Sequence, residues 1–148
     1  ELPLMMEIDD ELSCVHASME YLDGIHWPYV LDLRSASFHF LKQEKRYCVC
    51  GHSHIPLLFS FHDETHQTKI EMLKTGISIA DQEFKYLFNP GAVGQPRDFD
   101  TRASVIIFDT ESHMIELIRV SYDVEKAQKQ IIDAKLPGIL AERLARGR

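Results

Sequence analysis

One stretch decides both the fold and the candidate site: residues 46–56, RYCVCGHSHIP. The apolar run Tyr47–Cys50 has the length and residue types of a buried strand, and a glycine and two histidines follow it. We expect Gly51 to turn the backbone sharply, so that His52 and His54 escape strand alternation. Neutral imidazole is the commonest metal ligand in proteins. The two histidines could bind one metal, or two metals about 3.5–4 Å apart; the open alternative is a pair of solvent-facing turn residues.

Two further segments place polar residues at the ends of predicted strands. His16 closes the apolar run Leu12–Val15. Residues 89–98, NPGAVGQPRD, follow another apolar run, and their two glycines and two prolines specify an ordered loop. Backbone N–H groups of such a loop suit an anion site, although a tight structural connection is an equally good interpretation. The candidate substrate contacts in this loop are Asn89, Gly91 and Arg97.

The chain as a whole predicts an α+β fold, in which a strand-rich part is followed by a helical part. Short apolar runs bounded by turn residues predict strands at 4–8, 12–16, 46–50, 57–61, 69–74, 86–88, 103–108 and 114–120. A hairpin turn is predicted at 109–112, and a helix is predicted over 31–43. Asp123 is a good N-cap for a helix, and Pro137 starts a second, short helix that Gly147 ends. We expect a strand-rich part, 2–120, in a mixed or antiparallel sheet, and a helical tail, 123–147.

Composition excludes several classes of protein. The 148 residues are enough for a real hydrophobic core. A net charge of −7 disfavours non-specific binding to nucleic acid. No run of 18 apolar residues is present, so no membrane span is expected, and three cysteines indicate a reducing compartment, with the cytoplasm as the expected location. The first residue is Glu1 and not Met, and we expect the chain to be a piece of a longer protein.

Two other groups of cysteines and histidines resemble metal-binding motifs. Cys48 and Cys50 alternate with His52 and His54, but residues i and i+6 of a straight strand lie about 20 Å apart, too far for one zinc ion. Buried thiols are the better interpretation. The HDETH sequence at 62–66 resembles a zinc-protease helix but lies between strand-like runs, so we expect a hairpin tip.

For several other residues the sequence leaves more than one interpretation open. Residues 26–28, His-Trp-Pro, predict either a loop over the site or a packed aromatic residue, and we expect His39 and His113 at the surface or at a sheet edge. Arg97 and Arg102 could hold a substrate phosphate or could form structural pairs with the nearby aspartates, Asp98 and Asp100.

Taken in order and spacing, the motifs resemble the C-terminal half of a calcineurin-like metallophosphoesterase of the small bacterial and archaeal phosphodiesterase type. The resemblance rests on Gly-His-x-His at 51–54, on the strand-terminal His16, and on Asn-Pro-Gly-x-Val-Gly-x-Pro-Arg at 89–97. It implies a sandwich of two mixed sheets flanked by helices (an α/β/β/α arrangement) and two divalent metal ions, of Mn, Zn, Ni, Fe or Mg. It also implies hydrolysis of a phosphoester by a metal-bridging hydroxide. The metal ligands it implies are His16 and His52 on one ion and His54 on the other.

The same resemblance predicts ligands that this chain lacks. None of the seven glycines precedes Asp or Asn, and no Asp-x-His occurs, so the carboxylates, the bridging Asp and the acid–base group of the family are expected in a missing N-terminal half. We therefore expect these 148 residues alone to be nearly inactive. The alternative is a non-catalytic, phosphoesterase-like scaffold that binds proteins. Unpaired sheet edges also predict a homo-oligomer or a strand-exchanged dimer.

Overall fold

Two sheets form the body of the molecule, in a computed structural model that describes residues 3–79, 81 and 83–148. Within those residues the strands are β1 Met5–Glu7, β2 Leu12–Val15, β3 Tyr47–Val49, β4 Pro56–His62, β5 Gln67–Met72, β6 Gly76–Ile79, β7 Phe84–Pro90, β8 Ala103–Asp109 and β9 Met114–Val120. The helices are α1 Leu33–Phe40, α2 Val124–Asp133 and α3 Gly138–Glu142, and a 3₁₀ turn follows at Arg143–Arg146. The predicted α+β class is confirmed. β6 was not predicted.

The larger sheet has six strands in the order β1-β2-β3-β7-β4-β5. Its centre is parallel, because β3 pairs in parallel with both β2 and β7, while β1, β4 and β5 are antiparallel to their neighbours. Parallel strands end at the same edge of a sheet. The residues that follow β2, β3 and β7 are therefore brought to one edge, and these are the segments that carry the predicted site residues.

Strand β3 is covered on both faces, which explains why Tyr47–Cys50 is an unbroken apolar run. Tyr47 belongs to a core cluster between the two sheets, with Phe88, Ile115 and Leu117. Cys48 belongs to a second cluster on the opposite face, which includes Ala36 and Phe40 of α1. The smaller sheet, in the antiparallel order β6-β9-β8, covers the first of these clusters.

The helices begin and end as their local sequences predict. Asp123 caps α2, because its side chain accepts a hydrogen bond from the Lys126 N–H. Gly147 ends the 3₁₀ turn in the left-handed conformation, at φ 61°. The weaker helix predicted over 31–43 is the shorter α1, which Asp32 and Ser35 cap reciprocally. No helix in the described ranges is both long and apolar enough to cross a membrane.

One prediction about a single histidine was wrong. His39 was expected at the surface or an edge, but it lies in the last turn of α1 and is fully buried. Its Nδ1 accepts a hydrogen bond of 3.0 Å from the Met19 N–H. The backbone after β2 therefore binds to the helix through this ring.

Candidate metal centre

Backbone hydrogen bonds bring the ends of β2, β3 and β7 together. The Gly51 N–H donates to the His16 carbonyl over 2.9 Å, and the Cys50 N–H donates to the Phe88 carbonyl over 3.0 Å. These bonds continue the parallel pairing past the last residues of β2 and β3. As a result, His16 and the Gly51–His54 turn lie side by side at the sheet edge.

The turn at 51–54 is made in a way that differs from the prediction. Gly51 does not have a positive φ; the left-handed residues are His52, at φ 64°, and His54, at φ 61°. Left-handed backbone is uncommon for residues other than glycine and costs energy that the surroundings must supply. Two such residues separated only by Ser53 are typical of a backbone held for function.

Asn89 holds this turn in place. Its side chain is buried, and its amide nitrogen donates to the Gly51 carbonyl and, over 2.9 Å, to Ser53 Oγ. Its Oδ1 accepts from the Gly91 N–H over 2.9 Å. Both groups are thus engaged within the protein. The geometry favours a supporting role for Asn89 and Gly91 over the substrate contact expected from the sequence.

His16 and His52 form a close pair. His16 Nε2 lies 3.1 Å from His52 Nδ1, and the rings are inclined at 61°. Trp27 meets the His16 ring edge-on at 5.3 Å between centroids, and Tyr29 stacks on the His52 ring at 4.3 Å. The pKa of His52 is lowered, first by partial burial and then by the neighbouring His16. Both changes favour the neutral imidazole, which is the form that binds metals.

His54 has a separate partner. Its Nδ1 lies 2.8 Å from the backbone carbonyl of Gln95. Because a carbonyl can only accept, Nδ1 carries the proton and Nε2 keeps the free lone pair. A metal-binding histidine is commonly oriented by such a bond from its other ring nitrogen. The Gln95–Arg97 segment also bonds back to this turn, since the Arg97 N–H donates to the His54 carbonyl over 3.2 Å.

The two arginines of this region have different partners. Arg102 pairs with Asp100, with Nη2 and Oδ2 separated by 2.6 Å, and this guanidinium lowers the pKa of Asp100 to about 2. Arg97 instead donates to the Gln95 side chain over 2.9 Å and to the Tyr29 hydroxyl over 3.3 Å. The structural alternative thus holds for Arg102, and Arg97 bonds to neutral groups.

The structure gives no support to the other two sequence motifs that resemble metal sites. His62 ends β4 and residues 63–66 form the turn before β5, so the HDETH sequence is a hairpin tip, as predicted. Cys48 and Cys50 are buried, and burial raises the pKa of both thiols, that of Cys50 to about 12. Thiols held in the protonated form are poor metal ligands.

The histidines divide into a pair and a single residue. Across the described part of the chain, no three His, Cys, Asp or Glu side chains are grouped so that they could hold one metal ion. The structure thus brings His16 and His52 together, leaves His54 apart from them, and completes a ligand set around none of the three within the described residues. Three residues that the sequence did not single out as site residues join them here: Trp27, Tyr29 and Gln95. Trp27 and Gln95 lie in segments that the sequence had marked as loops near the site, whereas Tyr29 had no signal.

One solved structure is similar to this chain over almost all of its residues. A metallophosphoesterase from Sphaerobacter thermophilus is 35% identical to this chain and matches 99% of it, with a TM-score of 0.87. The chain therefore resembles a metallophosphoesterase over almost its whole length. The predicted resemblance is thereby confirmed. The match covers 58% of the solved metallophosphoesterase chain, in agreement with the expectation of one half.

Two other comparisons add to this. A hypothetical protein of Pyrococcus horikoshii, 16% identical, matches 100% of this chain and 52% of its own with a TM-score of 0.66, which supports the fold alone. An uncharacterised protein of Methanocaldococcus jannaschii is 45% identical over 98 residues, which are 66% of this chain and 38% of that protein. No protein-family model matches the chain. The chain thus spans less than two thirds of each relative.

Proposed function

We propose that this chain is the histidine-bearing part of a single metal-dependent phosphoesterase domain that hydrolyses phosphodiesters. In this proposal His16 and His52 bind one divalent cation, and His54 binds a second. The metallophosphoesterase fold supports hydrolysis of phosphoesters as the class of reaction.

The observation that carries the proposal is the 3.1 Å distance between His16 Nε2 and His52 Nδ1. Two nitrogens bound to one cation at roughly 2.0–2.1 Å in tetrahedral geometry lie about 3.3 Å apart. A shift of a few tenths of an ångström would open the pair to a cation, while in its absence one ring donates a hydrogen bond to the other. The lowered pKa of His52 favours its neutral form, which is the form that binds a cation.

Each residue has a task that follows from its contacts. Divalent cations at such a site lower the pKa of bound water and stabilise charge on phosphoryl oxygens. The Gln95 carbonyl fixes which nitrogen His54 presents. Within the described residues the Arg97 side chain donates only to neutral side chains, so its positive charge remains available for an anionic ester. Three neutral imidazoles do not balance two divalent cations, so acidic ligands and the acid–base group would come from the part of the longer relatives that this chain does not match.

Metal titration tests the ligand assignment. We expect His52→Ala and His54→Ala to weaken binding of Mn²⁺ or Zn²⁺ tenfold or more in isothermal titration calorimetry. The matched control is His66→Ala, since His66 is also left-handed, at φ 53°, but lies at the hairpin tip. Equal affinities in all three variants would reject the metal site and favour the scaffold alternative.

A hydrolysis assay tests whether this chain lacks groups that turnover requires. The 148-residue chain with Mn²⁺ should hydrolyse bis(4-nitrophenyl) phosphate at close to the background rate. Strong turnover that survives His54→Ala would reject the proposed function.

A further inference from the structure

An open groove of about 420 Å³ lies beside the candidate metal centre, and Arg97 is the one residue of its lining that has a task in the proposal above. Its lining is mostly apolar, with two arginines: Tyr29, Leu31, Ser53, Ile55, Arg97, Phe99 and Arg148. Ser53 lies between the two left-handed histidines, and Tyr29 stacks on His52 with 14° between the ring planes. The groove and the histidine pair therefore share a wall.

Among the residues that line the groove, Phe99 has the conformation most typical of a residue that contacts a ligand. It is 70% exposed, yet its backbone is left-handed at φ 69°, a true outlier for a bulky residue. No burial of the ring offsets this strain, and exposed strained residues cluster at binding sites.

The surrounding chain holds Phe99 in this position. Asp98 on one side forms a buried ion pair with Arg119, and Asp100 on the other bonds to Arg102. The Phe99 N–H donates to the Gly147 carbonyl over 2.9 Å. A Cβ at Gly147 would lie 2.8 Å from the Phe99 carbonyl carbon, so only glycine allows this approach.

The groove is positively charged within a chain of net charge −7. Within the described ranges, neither Arg97 nor Arg148 forms a salt bridge to another side chain. The guanidinium of Arg148 lies over the Phe99 ring, 4.9 Å from its centroid. Exposed aromatic rings beside unneutralised guanidinium groups match a ligand that is both flat and anionic.

We propose that this groove binds the aromatic organic group of the phosphoester, with Phe99 and Tyr29 as its contact surfaces and Arg97 on the anionic side. The inference rests on the proposed function, since the histidine pair fixes where the phosphoryl group would sit. It makes the enzyme selective for aryl or nucleobase-bearing esters over alkyl esters.

Binding of two phosphonates tests this, because their C–P bond is not hydrolysed. With Mn²⁺ present, 1-naphthylphosphonate should bind at least tenfold more tightly than methylphosphonate in calorimetry, a difference of about 1.4 kcal/mol. Phe99→Ala should reduce this preference to threefold or less and leave methylphosphonate affinity unchanged. Phe99→Gly, which removes the ring and relieves the backbone, should do the same, so that loss of preference cannot be ascribed to misfolding.

The chain offers a matched control. Phe38 is also exposed and also lies under an arginine, Arg34, at 5.8 Å, but on α1 and outside the groove lining. Phe38→Ala should keep the full naphthyl preference. Equal affinities for the two phosphonates in the unmodified chain, or a preference that Phe99→Ala leaves intact, would overturn the inference.

A neutral probe separates this inference from the proposed function. One outcome rejects the metal site and supports the groove. In it, His52→Ala leaves methylphosphonate binding unchanged, while naphthalene-1-methanol binds the unmodified chain but does not bind Phe99→Ala. If His52→Ala abolishes phosphonate binding but the naphthyl group adds nothing, the groove fails and the metal site stands.

Discussion

At the scale of single residues, His39 connects the core to the site. Its ring is fully buried, and the bond from the Met19 N–H to Nδ1 requires that nitrogen to be unprotonated. Its Nε2 finds no hydrogen-bond partner among the described residues. Burial lowers the pKa of His39 to about 4. Protonation would break the bond to Met19, three residues after His16.

This pKa predicts a pH dependence of stability. The folded pKa lies below the unfolded value of roughly 6.5, so the contribution of His39 is complete above that pH and is lost as pH falls toward 4. Between pH 7 and pH 5 the free energy of unfolding should fall by about 2 kcal/mol through this group. Urea unfolding should show a smaller fall in His39→Gln.

The exposed hairpin-tip residue His66 provides the control, and His66→Gln should keep the slope of the unmodified chain. A His39→Gln slope equal to that of the unmodified chain would contradict the assignment of the pH dependence to His39.

At the scale of elements, the backbone of the loop after β7 requires a glycine at position 91 but not at position 94. Gly91 has φ 83°, and a Cβ there would lie 2.9 Å from Pro56 Cγ and 3.0 Å from Ser104 Cβ. Gly94 has no positive φ, and its Cβ would meet nothing within 4 Å. Gly91→Ala should therefore destabilise the fold by about 2–3 kcal/mol, through strain and overpacking together.

Thermal unfolding measures the difference between these glycines. A loss of this size lowers the melting temperature of a domain of this length by roughly 5–10 °C, while Gly94→Ala should stay within about 2 °C. Equal shifts for the two variants would mean that the Asn89–Gly91 support does not constrain the loop.

Most elements were predictable because their signals are local. Asp123 and Gly147 carry capping chemistry that needs no tertiary contact, and the apolar runs of β3 and β7 match strands that are buried on both faces. The candidate site followed from the same signals, since strand-end residues gave His16, His52 and His54. The exception was β6, a strand of only four residues that begins at Gly76, a residue type that disfavours strands.

The details of the site depend on contacts that no local pattern contains. Gly51 was expected to turn the chain, but the strain is carried by His52 and His54 because Asn89, distant in sequence, holds their turn. Similarly, the burial of His39 could not be predicted, because its partner, the Met19 N–H, lies 20 residues away along the chain. Phe99 is left-handed because both neighbouring aspartates are anchored and Gly147 accepts its N–H.

At the scale of the whole molecule, the sheet order was also beyond local signals. β2, β3 and β7 are neighbours in parallel, although long segments separate them along the chain. Parallel pairing requires crossovers whose order depends on the complete core. The motif resemblance supplied this architecture, and the fold of the Sphaerobacter enzyme confirms it over 99% of the chain.

The edge of the larger sheet carries the last prediction, which is self-association. Among the described strands, β1 pairs only with β2, and it exposes Met5 and Met6, the latter at 46%. An apolar edge strand with free N–H and C=O groups is a template for a second strand. We expect the apparent mass in size-exclusion chromatography with light scattering to rise with concentration toward a dimer. Met6→Lys should hold the chain monomeric, because a lysine on an edge strand resists pairing.

An apolar residue of similar exposure on a helix controls for charge alone. Ile132 on α2 is 53% exposed, and Ile132→Lys should leave the dimer intact, since a helix surface offers no free backbone groups to a strand. A concentration-independent monomer for the unmodified chain would contradict edge pairing through β1. Equal loss of the dimer in both lysine variants would also contradict edge pairing, because an added positive charge lowers the repulsion between chains of net charge −7 and gives no reason for a helix-surface lysine to separate them.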